Sequence, residues 1–104
     1  MRRSNVETTY DRHFRNGDIV RHFKGRFYKI DSIAKHTETG ELLVVYTQMY
    51  EPFETFVRPY EMFLEDVDKV KYPNADQPYR FMKIKFVMES EFNGGLHGFI
   101  WCFV

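Results

Sequence analysis

Residues 42–50, LLVVYTQMY, decide the fold, because β-branched and aromatic side chains dominate the stretch and alternate with a period of two. That pattern is a strand. Successive side chains of an extended chain point to opposite faces, so Leu43, Val45 and Met49 share one side and Val44, Tyr46, Gln48 and Tyr50 the other. The aliphatic set is expected to face the core and the polar and aromatic set the solvent. EPFE at 51–54 turns the chain, and TFVRP at 55–59 returns as a strand that stops where Pro59 removes a ladder donor. Val57 is then expected inside with Leu43 and Val45, leaving Phe56 and Arg58 outside.

Toward the N-terminus, GDIVRHFKGRFYKI at 17–30 reads as a hairpin: strand Ile19–Phe23, a tight Lys24–Gly25 turn, and strand Phe27–Ala34. HTETGE at 36–41 supplies the next turn. Residues 1–16 are polar without sustained periodicity and read as a flexible arm. Toward the C-terminus, YEMFLEDV at 60–67 has one turn of helical spacing, and KVKYPNADQP at 69–78 is a loop by composition. YRFMKIKFVMES, the NGG turn signal at 93–95 and LHGFIWCFV suggest a second hairpin. Left exposed, FIWCFV is an aggregation hazard, so residues 79–104 are expected to cover a sheet edge or build a homodimer.

Five or more short antiparallel strands within about 65 residues are too few for two wide sheets, and a small, strongly bent antiparallel barrel accommodates them. The expected organisation is an arm at 1–16, an all-β barrel domain at 17–81, and a strand or hairpin extension at 82–104. With 104 residues the chain supports one core. Its 15 basic residues balance its 15 acidic ones, so attraction to nucleic acid or an anionic membrane would have to be local. No run reaches a membrane span, no apolar leader is evident, and the lone Cys102 cannot form an internal disulfide; a cytoplasmic location is expected.

RHFKG at 21–25, Tyr28, AKHTETGE at 34–41, LVVY at 43–46, FVRP with EMFLEDV between 56 and 67, and YRF at 79–81 occur in one order. Together they resemble the domain-of-unknown-function 1653 family over about residues 17–81. The resemblance implies a small SH3-like β-barrel and no established biochemical role. Two departures stand out: Phe56 replaces the tryptophan usual before VRP, and YEP at 50–52 replaces a YGD-like turn.

The candidate ligand face is Tyr46, Tyr50, Phe56 and Arg58, joined by Arg21 or His22, one of which must share that side. Rings give rigid contact area, and a guanidinium forks onto a carboxylate or phosphate, which suits a protein or peptide partner bearing an anion. The competing expectation is that Arg58 pairs with Glu61 or Glu65 and only closes the barrel end. Nucleic acid, RNA in particular, is the alternative partner, through Arg21, Lys24, Arg26, Lys29 and Lys35; a solvated edge strand defended by lysine accounts for the same residues. His13, His22, His36, His97 and Cys102 lack the close spacings of a zinc site, and Cys102 sits in an apolar context that hides a thiol. No nucleophile, base and orienter assemble, and no phosphate-cradling loop occurs. The sequence therefore points to a non-catalytic binding module without a cofactor or metal.

Overall fold

The computed structural model describes residues 10–88 and 99–104. It is all-β apart from one helical turn. The strands are β1 (Ile19–His22), β2 (Phe27–Lys35), β3 (Leu42–Gln48), β4 (Thr55–Pro59), β5 (Phe81–Met88) and β6 (Phe99–Phe103), with α1 (Tyr60–Phe63) after β4. They form one antiparallel six-stranded sheet in the order β4-β3-β2-β1-β5-β6. The sheet is open, with β4 and β6 at its ends, so the expected barrel closure does not occur. Side chains do the closing instead: Phe63 from α1 and Phe14 from the segment before β1 pack over one sheet face, their rings 5.5 Å apart.

The inward face of β3 is the reverse of the one expected. Val44 and Tyr46 are buried, at 0% and 4% exposure, whereas Val57 is 60% exposed. Cross-strand partners share a face, and the pairs Val44 with Arg58 and Tyr46 with Phe56 place all four residues on the core side. Rings decide this parity. Tyr46 meets Phe63 at 5.1 Å and Phe81 at 5.7 Å, both edge to face, and Phe63 stacks on Phe81 at 4.1 Å. Valine or leucine at position 46 would not reach across this layer.

The core comprises Phe14, Val20, Ile30, Val44, Tyr46, Phe63 and Phe81, with Tyr28, Ile33 and Tyr60 packed against it. Ile30 and Ile33 both point inward at a spacing of three because the β2–β3 register shifts between Ile30 and Ser32, inserting a bulge at Asp31. β1 is central, flanked by β2 and β5, so the first hairpin is no edge strand.

Residues 10–16 do not behave as the expected flexible arm. Phe14 is buried at 2% exposure, and Arg12 donates to the carbonyls of Phe81 (2.7 Å) and Phe63 (3.0 Å) while its guanidinium lies 3.9 Å from the Tyr79 ring centroid. Lys83, also buried, pairs with Asp11 at 2.9 Å and Asp18 at 3.3 Å, tying the arm to β5. The Asp11 carboxyl is held down at about 2, chiefly by its bond from Lys83. β5 starts at Phe81 and pairs with β1, and β6 pairs with β5, so the strands after residue 81 continue the same sheet. The NGG turn signal lies outside the described residues.

Candidate functional site

Phe14 and Phe63 cover only part of this sheet face. Around that plug, residues of five elements share the same side: His22 from β1, Tyr28 from β2, Tyr46 from β3, Phe56 and Arg58 from β4, and Phe81 from β5. Tyr50 reaches the group from the β3–β4 turn. Its hydroxyl meets the Tyr28 hydroxyl at 2.6 Å and receives a hydrogen bond from Gln48 Nε2 at 3.0 Å. Gln48 also accepts from the Glu54 amide through Oε1, so one side chain fixes both the turn and the Tyr50 ring. Burial and the bond to Tyr50 push the Tyr28 hydroxyl above its ordinary range, keeping it protonated as part of the wall.

Arg58 is a charged member of this face, and Arg26 lies over its Tyr50 ring. Its Nε donates to Tyr46 Oη at 3.1 Å, and its guanidinium carbon lies 5.9 Å from the Phe81 ring centroid. The expected pairing with Glu61 or Glu65 is not made: Glu65 bonds Arg80 at 2.7 Å instead, and no described carboxylate forms an ion pair with Arg58. One N–H is therefore spent on orientation by a buried phenol, leaving the terminal nitrogens for an incoming oxygen. Phe56, 38% exposed, lies tilted 5.8 Å from Tyr46 and gives the face an accessible ring beside the guanidinium.

His22 borders the other flank of Phe81. Its ring stacks on Phe23 at 4.6 Å and meets Phe81 edge-on at 5.0 Å, while Nδ1 accepts the Lys24 amide at 3.1 Å. That bond assigns the proton of the neutral ring to Nε2. Burial, then the positive charges of Arg80, Lys24, Arg58 and Arg21, lowers its pKa to about 4, so His22 is neutral at physiological pH. Beyond it opens a cleft of about 330 Å³ whose lining includes Phe23, Lys24, Lys71, Tyr72 and Arg80, with Asp66 and Asp68 on the same wall. The sequence reading missed this cleft. Residues 69–78 look like any polar loop, and nothing local shows that Tyr72 returns to lie 4.8 Å from Phe23.

Of the two candidates on β1, His22 joins the aromatic face and Arg21 does not. Arg21 lies opposite Phe27 and Met82 on the other face, forks onto Asp76 at 2.9 and 3.2 Å, and reaches Gln77 at 2.5 Å. Gln77, buried, returns hydrogen bonds to the carbonyls of Arg21, Tyr79 and Arg80. The role of Arg21 is to pin the long loop to the sheet. Tyr46, too, is absent from any contact surface and acts through Arg58.

The five basic residues proposed for nucleic acid are not gathered into one patch. Arg21 is tied to Asp76, Arg26 lies over the Tyr50 ring at 4.6 Å, and Lys24 lies 5.5 Å from the Tyr72 centroid. Lys29, directly across from Ile19, shares the outer face with Arg21 rather than the ring-lined one. Among the described residues no group of His, Cys, Asp and Glu side chains could hold a metal ion, and no helix is long and apolar enough to cross a membrane.

Fold and site together define a small open-sheet β domain with one face lined by rings around an oriented arginine. The chain belongs to the family described as protein of unknown function (DUF1653), whose model matches residues 18–83, from β1 into the start of β5. Nothing matches among curated proteins, and nothing matches among solved structures.

Proposed function

We propose that this chain is a non-catalytic binding module that receives an anionic group, carried by a protein or peptide partner, against Arg58 on the ring-lined face. The observation that carries the reading is the state of Arg58: positioned by Tyr46, near the Phe81 ring, on the same side of β4 as Phe56, and paired with no carboxylate among the described residues. A guanidinium held in this way presents its donors to a carboxylate or phosphate at little further ordering cost. The contact set is Arg58, Phe56, Tyr50 and His22; Tyr46 and Tyr28 support it from behind. His22, neutral, offers an N–H and a ring but no charge, so the charge requirement falls on Arg58, with Arg26 over the Tyr50 ring as the second cation at this face. The cytoplasmic setting stays part of the proposal, supported by the single cysteine.

The test is an NMR titration of the full chain with N-acetylglutamate, and separately with inorganic phosphate, following the Arg58 side-chain Nε–H and the ring signals of Phe56 and His22. Saturable shifts that vanish in Arg58→Gln, with the fold intact, support the reading. Identical responses in wild type and Arg58→Gln overturn it.

A further inference from the structure

β4 is one of the two edges of the sheet and lies beside Arg58. Natural sheets commonly blunt an edge with lysine, proline, a bulge or a covering segment. β4 has an unshifted register against β3, no lysine, and no proline before its last residue, Pro59. Its outward backbone groups follow from the ladder. Gln48 N–H bonds the Glu54 carbonyl at 2.9 Å, so hydrogen-bonded pairs recur at every second residue, placing Phe56 and Arg58 toward β3 and Thr55 and Val57 toward solvent. Pro59 obeys the same parity, for it has no N–H to give and falls on the solvent side.

We infer that the partner is an extended peptide added as a seventh strand along β4, with an acidic residue opposite Arg58; this rests on the anion-binding reading above. An added strand draws on the N–H and C=O groups of Thr55 and Val57, and its alternate side chains then divide between the two faces. The residue beside Arg58 emerges on the ring-lined face, where a guanidinium that forms no ion pair with any described carboxylate calls for one. The residue beside Val57 emerges on the opposite face, where a β-branched or aromatic side chain covers a valine that is 60% exposed. Charge complementarity thus fixes the register, and Pro59 ends the docking segment because it cannot donate.

The test uses the full chain, ¹⁵N-labelled, and a library of N-acetylated, C-amidated hexapeptides alternating Val, Thr or Tyr with one central Glu, each matched to a Gln version. Binding is expected to slow amide exchange at Thr55 and Val57 at least ten-fold while leaving Phe56 and Arg58 amides unchanged, with Glu peptides at least ten-fold tighter than Gln peptides. Val57→Pro removes one outward donor without touching the β3 ladder and is expected to abolish binding; Val57→Thr, which keeps the donor, is expected to bind. Unaltered exchange at Thr55 and Val57, with Val57→Pro still binding through Arg58, overturns strand addition and leaves the anion site standing. Absence of binding by every Glu peptide overturns it equally. A concentration-dependent dimer in sedimentation that Val57→Pro dissolves assigns the edge to a second copy of this chain and also overturns the peptide.

Discussion

His22 should make the stability of this domain fall between pH 8 and pH 5, and the fall can be computed. Its pKa drops from 6.5 to about 4 on folding, with burial as the leading cause. A depressed folded pKa means that the unfolded chain takes up a proton first, so stability is complete above the unfolded value and is lost as pH falls toward the folded one. With those two values, and with solvent screening of a half-buried ring, protonation of the unfolded histidine removes about 1–2 kcal/mol of stability by pH 5. Asp11 does not confuse the measurement, because its carboxyl is held at about 2 and its own contribution is lost only as pH falls from the ordinary carboxylate range toward that value. The assay is equilibrium denaturant unfolding of the full chain at half-unit pH steps. His22→Asn retains an acceptor for the Lys24 amide but does not titrate, so the variant should be less stable at pH 8 and nearly flat down to pH 5. An unchanged slope in His22→Asn would show that some other group carries the effect and that His22 is not shielded from protons.

Three further outcomes test the packing. Val44→Thr, which buries a hydroxyl in the core, should cost about 1–3 kcal/mol, whereas Val57→Thr should stay within about 0.5 kcal/mol; denaturant midpoints that rank the two the other way refute the parity described above. Gln77→Ala removes the side-chain hydrogen bonds to the carbonyls of Arg21, Tyr79 and Arg80, of which the Arg80 carbonyl keeps its bond from the Phe23 amide, and should cost about 1–2 kcal/mol, with faster amide exchange across residues 64–80. Gly25→Ala should cost about 1–2 kcal/mol through the backbone alone, because φ is +106° and an added Cβ meets only Arg21 Nη2, at 3.7 Å; a thermal midpoint equal to wild type contradicts that strain.

The strands were legible because each carries its own local signal: β3 by alternation, β4 by its stop at Pro59, and the first hairpin by the turn at Gly25. Which face of β3 turns inward was not legible, and the reason is physical. Val44 and Tyr46 are as apolar as Leu43 and Val45, so the alternation leaves the choice to whatever lands on the sheet. Phe63, Phe14 and Phe81 land there, from three separate segments. Phe14 lies within RHFRNG, a polar stretch whose single ring gives no period to detect. The same distant packing selects His22 over Arg21. The bulge at Asp31 is equally silent in sequence, since its effect is a spacing of three between Ile30 and Ile33 within an otherwise regular strand. Burial of Lys83 depends on Asp11, 72 positions away.

Inverting the parity changes the site without dissolving it. A face with Tyr46 open to water would have offered a ring and a hydroxyl directly to a ligand, and Arg58 would have been one charge among many on a solvated surface. With Tyr46 buried, its hydroxyl has one strong use left, which is to accept from Arg58 Nε. The guanidinium is thereby held near the Phe81 ring, 5.9 Å from its centroid, with its orientation set before a carboxylate arrives. Phe56 then matters by position more than by type. Where the resemblance leads one to expect tryptophan, phenylalanine keeps an exposed ring beside Arg58 and gives up the indole N–H, so Arg58 must supply the hydrogen bonds that orient the partner on this side. Restoring that donor with Phe56→Trp should tighten binding of a Glu-bearing peptide while leaving its dependence on Arg58 in place; a variant that binds equally well once Arg58 is replaced by Gln would move the recognition role from the guanidinium to the ring.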